Sequence, residues 1–170
     1  MKSCILGLFF LGLTTLCNAQ HEMAMVTSKL DHAPNMKSVS INADYLNSFK
    51  NHDVAKRAQK LQKIAANYNI KAQSVYTSSK SVTYTVDFNE ALNHIQAIYD
   101  HTGKLVQSIE IYKNMRLPYA LSKEVSTSYP GWAFEKIECH VNYTQGLEKI
   151  VEYHVELSNG KTSKTVTVTL

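Results

Sequence analysis

Apolar residues recur along this chain with two periods. Over residues 51–69, Val54, Ala58, Leu61, Ala65 and Tyr68 fall three or four apart. Ala55 and Ile64 widen the stripe, while Lys56, Arg57, Lys60 and Lys63 lie mostly off it. This spacing predicts an amphipathic helix that Asn51 or Asp53 can cap. A shorter helix is expected from Leu117-Pro118, with Leu117, Leu121, Val125 and Ser128 as its stripe and Tyr129-Pro130-Gly131 as its stop. Proline suits a first helical position, whose N–H has no helical acceptor.

Elsewhere the period is two, the mark of strands with one covered face. Val82, Tyr84, Val86 and Phe88 alternate with Thr83, Thr85 and Asp87. A second strand is expected near 95–100. After the turn Asp100-His101-Thr102-Gly103-Lys104, a third runs to Tyr112 with Leu105, Ile109 and Ile111 on one side. Beyond the second helix come Ala133, Ile137, Cys139, Val141 and Tyr143, then Val151, Tyr153, Val155 and Leu157, then Val166, Val168 and Leu170, each set on one face. Ser158-Asn159-Gly160-Lys161 predicts a tight hairpin turn, and Val39 with Ile41 a short strand.

The succession helix–strand–strand–strand occurs twice. Aligning Gly103-Lys104 on Gly160-Lys161 brings Ile98 onto Val155, Ile109 onto Val166 and Ile111 onto Val168, and Tyr68 and Tyr129 each end a helix. The expectation is an α+β protein of two αβββ repeats, 37–113 and 114–170. They would form one antiparallel sheet, or two abutting sheets, with both helices packed on one face.

Ahead of this region, Lys2 precedes an apolar run from Cys4 to Leu16, then Cys17-Asn18-Ala19 and Gln20. The run is about thirteen residues, short of the roughly twenty needed to span a bilayer. It reads as a signal peptide, 1–19, followed by a flexible leader, 20–36. Leu16 before Cys17 argues against a lipid anchor there. The protein is therefore expected in the periplasm or outside the cell, with no transmembrane segment after cleavage.

A formal net charge of +4, with scattered lysines, gives no basic stripe for nucleic acid. Of three cysteines, Cys4 and Cys17 would leave with the signal, so Cys139 has no intramolecular disulfide partner and packing must stabilise the chain. Ten tyrosines, with many Val and Thr, favour β-structure. There is no G-x-S-x-G elbow, P-loop, G-x-G-x-x-G or HxGH motif, which points away from an enzyme and from a cofactor.

The order of elements resembles the PepSY-like, β-lactamase-inhibitor-like secreted proteins of Bacteroidetes. The likeness rests on Ile98-Tyr99-Asp100-His101-Thr102-Gly103-Lys104-Leu105, Leu117-Pro118, Ser128-Tyr129-Pro130-Gly131-Trp132 and Leu157-Ser158-Asn159-Gly160-Lys161, within about residues 37–170. It implies a helix-backed sheet and a role in binding or inhibition at the cell envelope. These are scaffold positions, so no contact residue carries over.

Candidate chemistry is sparse. If Cys139 pairs with Tyr153, His140 lies opposite Glu152 and Glu138 opposite His154, all on the face away from the core. Such a quartet can bind a divalent ion or pair as ordinary charges. Cys139 itself, in phase with Ile137 and Val141, is expected as a core thiol. Tyr76, Tyr99 and Tyr112 are expected to form a partner-binding surface if they share an exposed face. Trp132 is either a stacking ring or, as favoured here, a brace over the second helix. The lysine-rich helix face is expected to be solvated, and the sequon Asn142-Tyr143-Thr144 is discounted on a strand. The expected function is a non-enzymatic module binding an envelope or extracellular protein or peptide through the open sheet face. The alternatives are an inhibitor of a periplasmic or extracellular hydrolase, or a small-ligand or metal-binding envelope protein.

Overall fold

The computed structural model describes residues 40–49 and 56–170. The expected signal, the leader, Val39 and the start of the first long helix lie outside them. A short helix α1 (Ala43–Asn47) precedes α2 (Lys56–Ala66) and a 3₁₀ turn at Ile70–Ala72. Three strands follow: β1 (Tyr84–Glu90), β2 (Asn93–Tyr99) and β3 (Leu105–Lys113). Next come α3 (Tyr119–Ser128) and β4 (Ala133–Thr144), β5 (Ile150–Ser158) and β6 (Ser163–Thr169). The six strands form one antiparallel sheet in chain order, even across α3 between β3 and β4. The class is α+β.

The core lies between the helices and one face of this sheet. Ala58, Leu61 and Ala65 of α2 and Leu121 and Val125 of α3 are buried in one cluster with Val86, Phe88, Ile95, Cys139, Val141, Tyr153 and Val155. Among the described residues the stripes hold apart from exposed Ser128, with Val54 and Ala55 outside them, and most strand facings hold, because burying one phase of a period-two run leaves the other phase to solvent. Helix α3 begins one residue later than expected, with Pro118 as its cap at ψ 145°. Ile41 lies in a turn, 59% exposed, rather than in a strand.

Two bulges change facings. Tyr99 pairs with Leu105 while Ile98 pairs with Gln107, so Val106 is an extra residue on β3. Beyond it the inward residues are Ser108, Glu110 and Tyr112, and Ile109 and Ile111 face away from the helices. This corrects the expected grouping of Leu105 with Ile109 and Ile111. Glu135 is likewise extra on β4, between Phe134 opposite Leu157 and Lys136 opposite Glu156. Phe134 therefore takes the core side and Ala133 the other. The alignment of Ile98 on Val155 and Ile109 on Val166 joins residues of opposite face, since Val155 is buried in the core and Ile109 is exposed on the open face.

The Asp100–Lys104 turn is fixed by its first residue. The Asp100 carboxylate accepts from the Thr102 N–H (2.8 Å), the Thr102 hydroxyl (2.6 Å) and the Lys104 N–H (2.9 Å). Gly103 adopts φ 83°, a conformation costly for any residue with a Cβ.

Candidate functional site

The sheet face turned away from the helices is covered by no described element. Its side chains follow from the register as rows across the strands. One row runs Asp87, Gln96, Ile109, Asn142 and Ile150. The next runs Asn89, His94, Ile111, His140, Glu152 and Thr169, and a third Lys113, Glu138, His154 and Thr167.

The charged members pair locally. His94 contacts Asn89 Oδ1 at 2.9 Å through Nδ1 and Asp87 Oδ1 at 3.3 Å through Nε2. Lys113 lies 3.6 Å from Glu138, and Lys136 3.0 Å from Glu156. The Glu156 carboxylate, accepting a hydrogen bond from Lys136, raises the ammonium's pKa. Pairs this exposed are held weakly, since water screens them and their side chains give up freedom to pair, so an incoming ligand can displace them at small cost. Between the charges stand Ile109, 43% exposed, and Ile150, 51% exposed.

The expected register is present: Cys139 lies opposite Tyr153, His140 opposite Glu152 and Glu138 opposite His154. The contacts nevertheless run along each strand. His140 Nε2 meets Glu138 at 3.3 Å, His154 Nε2 meets Glu152 at 3.8 Å, and the two imidazoles stack across the strands at 4.1 Å. Stacked rings do not converge their nitrogens on a common point, and among the described residues no group of three or more His, Cys, Asp or Glu is arranged to hold a metal ion.

The expected tyrosine surface does not form. Tyr99 and Tyr112 are fully buried, because both point towards the helices. The Tyr99 hydroxyl donates to the Ala65 carbonyl at 2.7 Å. Tyr76 lies in the loop before β1, half-buried, and donates to the His101 carbonyl at 2.8 Å. Trp132 packs against the core cluster, with Lys164 Nζ 5.8 Å from its ring centre and 4.2 Å from that of Tyr129.

Under the helices lies a group that the alternating pattern concealed. Glu110, fully buried, accepts from the hydroxyls of Tyr45 (2.6 Å) and Ser108 (2.7 Å) on Oε1 and from Tyr112 (2.6 Å) and the Gln62 amide (2.9 Å) on Oε2. All four partners are neutral donors. Tyr45 comes from α1, Gln62 from α2 and the others from β3, so the carboxylate ties three elements together. Tyr45 also packs edge-on to Phe49 and Tyr143, each 5.1 Å away, and Lys149 donates to the Ser48 carbonyl beside the Phe49 ring. Gln62, interrupting the apolar stripe of α2 beside Leu61, is the only signal of this cluster in the sequence.

Cys139 is buried beside the Tyr153 hydroxyl, and burial pushes its thiol up to about 11. At pH 8 only about a thousandth of it is thiolate. Alkylation of Cys139 by iodoacetamide, followed by peptide mass spectrometry, is expected to be roughly 100-fold slower in the folded chain than in urea; equal rates would place the thiol at the surface.

Searched against protein families, curated proteins and solved structures, the chain gives no match, so the reading of this face stands on its own geometry.

Proposed function

We propose that the chain is an exported, non-enzymatic binding module of the cell envelope, which takes a protein or peptide partner on the open face of its sheet. The observation that carries this reading is the row holding Ile109 and Ile150, two exposed aliphatics between weakly held charges on a sheet face that no described element covers. A polypeptide supplies both apolar contact for the isoleucines and polar groups for Gln96, Asn142 and the His–Glu pairs, as a mixed protein interface requires. The resemblance to the PepSY-like, β-lactamase-inhibitor-like secreted proteins supports a role at the envelope. Among the described residues no helix is long and apolar enough to cross a membrane. On this reading the two αβββ units are copies aligned one residue further on than Gly103 over Gly160. Tyr99 then meets Leu157, Ala97 meets Val155 and Ser108 meets Val166, all on the core side.

A second reading, inhibition of an extracellular or periplasmic hydrolase, draws on Leu147, 70% exposed in the β4–β5 connection, as an apolar tip for insertion into a cleft.

Capture from periplasmic extract separates the two. The double change Ile109→Glu with Ile150→Glu is expected to weaken capture of the partner at least about tenfold, the loss of two interface anchors, while Leu147→Asp leaves it intact. The reverse pattern supports the inhibitor reading. Capture of an unchanged set of proteins by both variants overturns both.

A further inference from the structure

Strand β6 closes one side of the sheet, and no described element lies beyond it. Exposed edges usually carry a proline, a bulge or an inward charge that blocks further pairing. From Thr165 to Thr169 there is none of these. Lys164, the charge at the start of the strand, is held over the Tyr129 ring at 4.2 Å. The helix layer also stops short here: Val166 and Val168, on the core side, are only half-buried, and Leu170 is 44% exposed.

The backbone decides what fits this edge. The Leu170 N–H donates to the Val151 carbonyl at 3.0 Å. In an antiparallel ladder, alternate residues exchange their backbone bonds with the same neighbour. Leu170, Val168 and Val166 therefore bond to β5, and Thr165, Thr167 and Thr169 aim their N–H and C=O groups outward. The segment Thr165-Val166-Thr167-Val168-Thr169 reads the same in both directions. Two copies set antiparallel about Thr167 place Thr167 opposite its own counterpart, Thr165 opposite Thr169 and Val166 opposite Val168. The centre of this palindrome is one of the outward residues, so the register that matches side chains also engages every outward N–H and C=O. Lys164 falls opposite Leu170, and no like charges meet. The two-fold axis stands perpendicular to the sheet, which keeps both helix layers on one side and joins the half-covered valines of the two copies.

We propose that β6 is a self-complementary edge through which two copies of this chain pair into a dimer with one continuous sheet. The opposite edge does not repeat the contact: pairing β1 about its centre would set Asp87 against Asp87, and like charges directly opposite repel. Assembly therefore closes at two copies.

Sedimentation equilibrium of the purified full chain is expected to show a concentration-dependent dimer. Thr167→Lys, at an exposed position, places like charges on the axis and weakens association by roughly tenfold or more, with an unchanged circular dichroism spectrum. Under mild oxidation Thr167→Cys cross-links to its counterpart, whereas Ser163→Cys, off the palindrome, does not; this comparison needs no tolerance of a lysine. A monomer at all concentrations up to about 1 mM, a dimer indifferent to Thr167→Lys, or equal cross-linking from both cysteine variants overturns the proposal.

Discussion

Replacing Glu110 by Ala is expected to remove about 4 to 5 kcal/mol of folding stability, combining a core cavity with donors left without an acceptor. Tyr45, Ser108, Tyr112 and Gln62 all direct hydrogen atoms at this one carboxylate. A buried donor stripped of its partner costs about 1 to 3 kcal/mol, and water enters only if the void is large enough to hold it. A domain of this size has about 5 to 15 kcal/mol in total, so Glu110→Ala removes between roughly a quarter and all of it. Glu110→Gln keeps the shape but turns one acceptor oxygen into a donor. The tyrosine and serine hydroxyls can rotate to accept, and the expected loss falls to about 1.5 to 3 kcal/mol, that of hydrogen bonds to a charge. Urea unfolding of the three chains checks the order native, Gln, Ala. A Glu110→Ala chain with a midpoint equal to the native one would mean that the cluster contributes nothing to stability.

The second large effect is a steep loss of stability in alkali. Burial, and then the negative charge of Glu110 beside them, raise the pKa of Tyr45 and Tyr112 well above 10.0. Burial, and then Tyr68, do the same to Tyr99. In each case the folded chain holds the neutral phenol while the unfolded chain ionises near 10. The unfolded state therefore binds fewer protons above that pH, and stability falls as pH rises, by about 1.4 kcal/mol per pH unit for each group. Together the three tyrosines give a slope of roughly 4 kcal/mol per unit beyond about pH 10. The Cys139 thiol, at about 11 against 9.0 in the open chain, begins the decline earlier. Below pH 9 all of this stabilisation is present. Urea midpoints at pH 8, 10 and 11 measure the slope, and Tyr99→Phe should lessen it by one proton's worth. Full tyrosinate absorbance at 295 nm in a chain whose circular dichroism is still native would contradict the assignment.

Both effects concern residues whose positions the alternating pattern left ambiguous. In β5 one phase is Val151, Tyr153, Val155 and Leu157 and the other Glu152, His154, Glu156 and Ser158, so the buried face is settled by composition. In β3 one phase holds Ile109 and Ile111 and the other Ser108, Glu110 and Tyr112. Composition favours the wrong face, because two of the four donors that make Glu110 tolerable inside, Tyr45 and Gln62, come from helices far away in the chain. The extra residue Val106 then sets the facing of everything after it.

Periodicity by itself determined α2, α3 and the strand segments with most of their facings, since each depends on neighbours within a few dozen residues. Only the tertiary structure decided that all six strands share one sheet, that Tyr99 and Tyr112 are core, and that a carboxylate is buried beneath α1. It also left Ile109 and Ile150 exposed on the open face. The physical reason is common to all of these: a bulge reverses facing without changing composition, and a buried charge is stable only where distant donors converge on it.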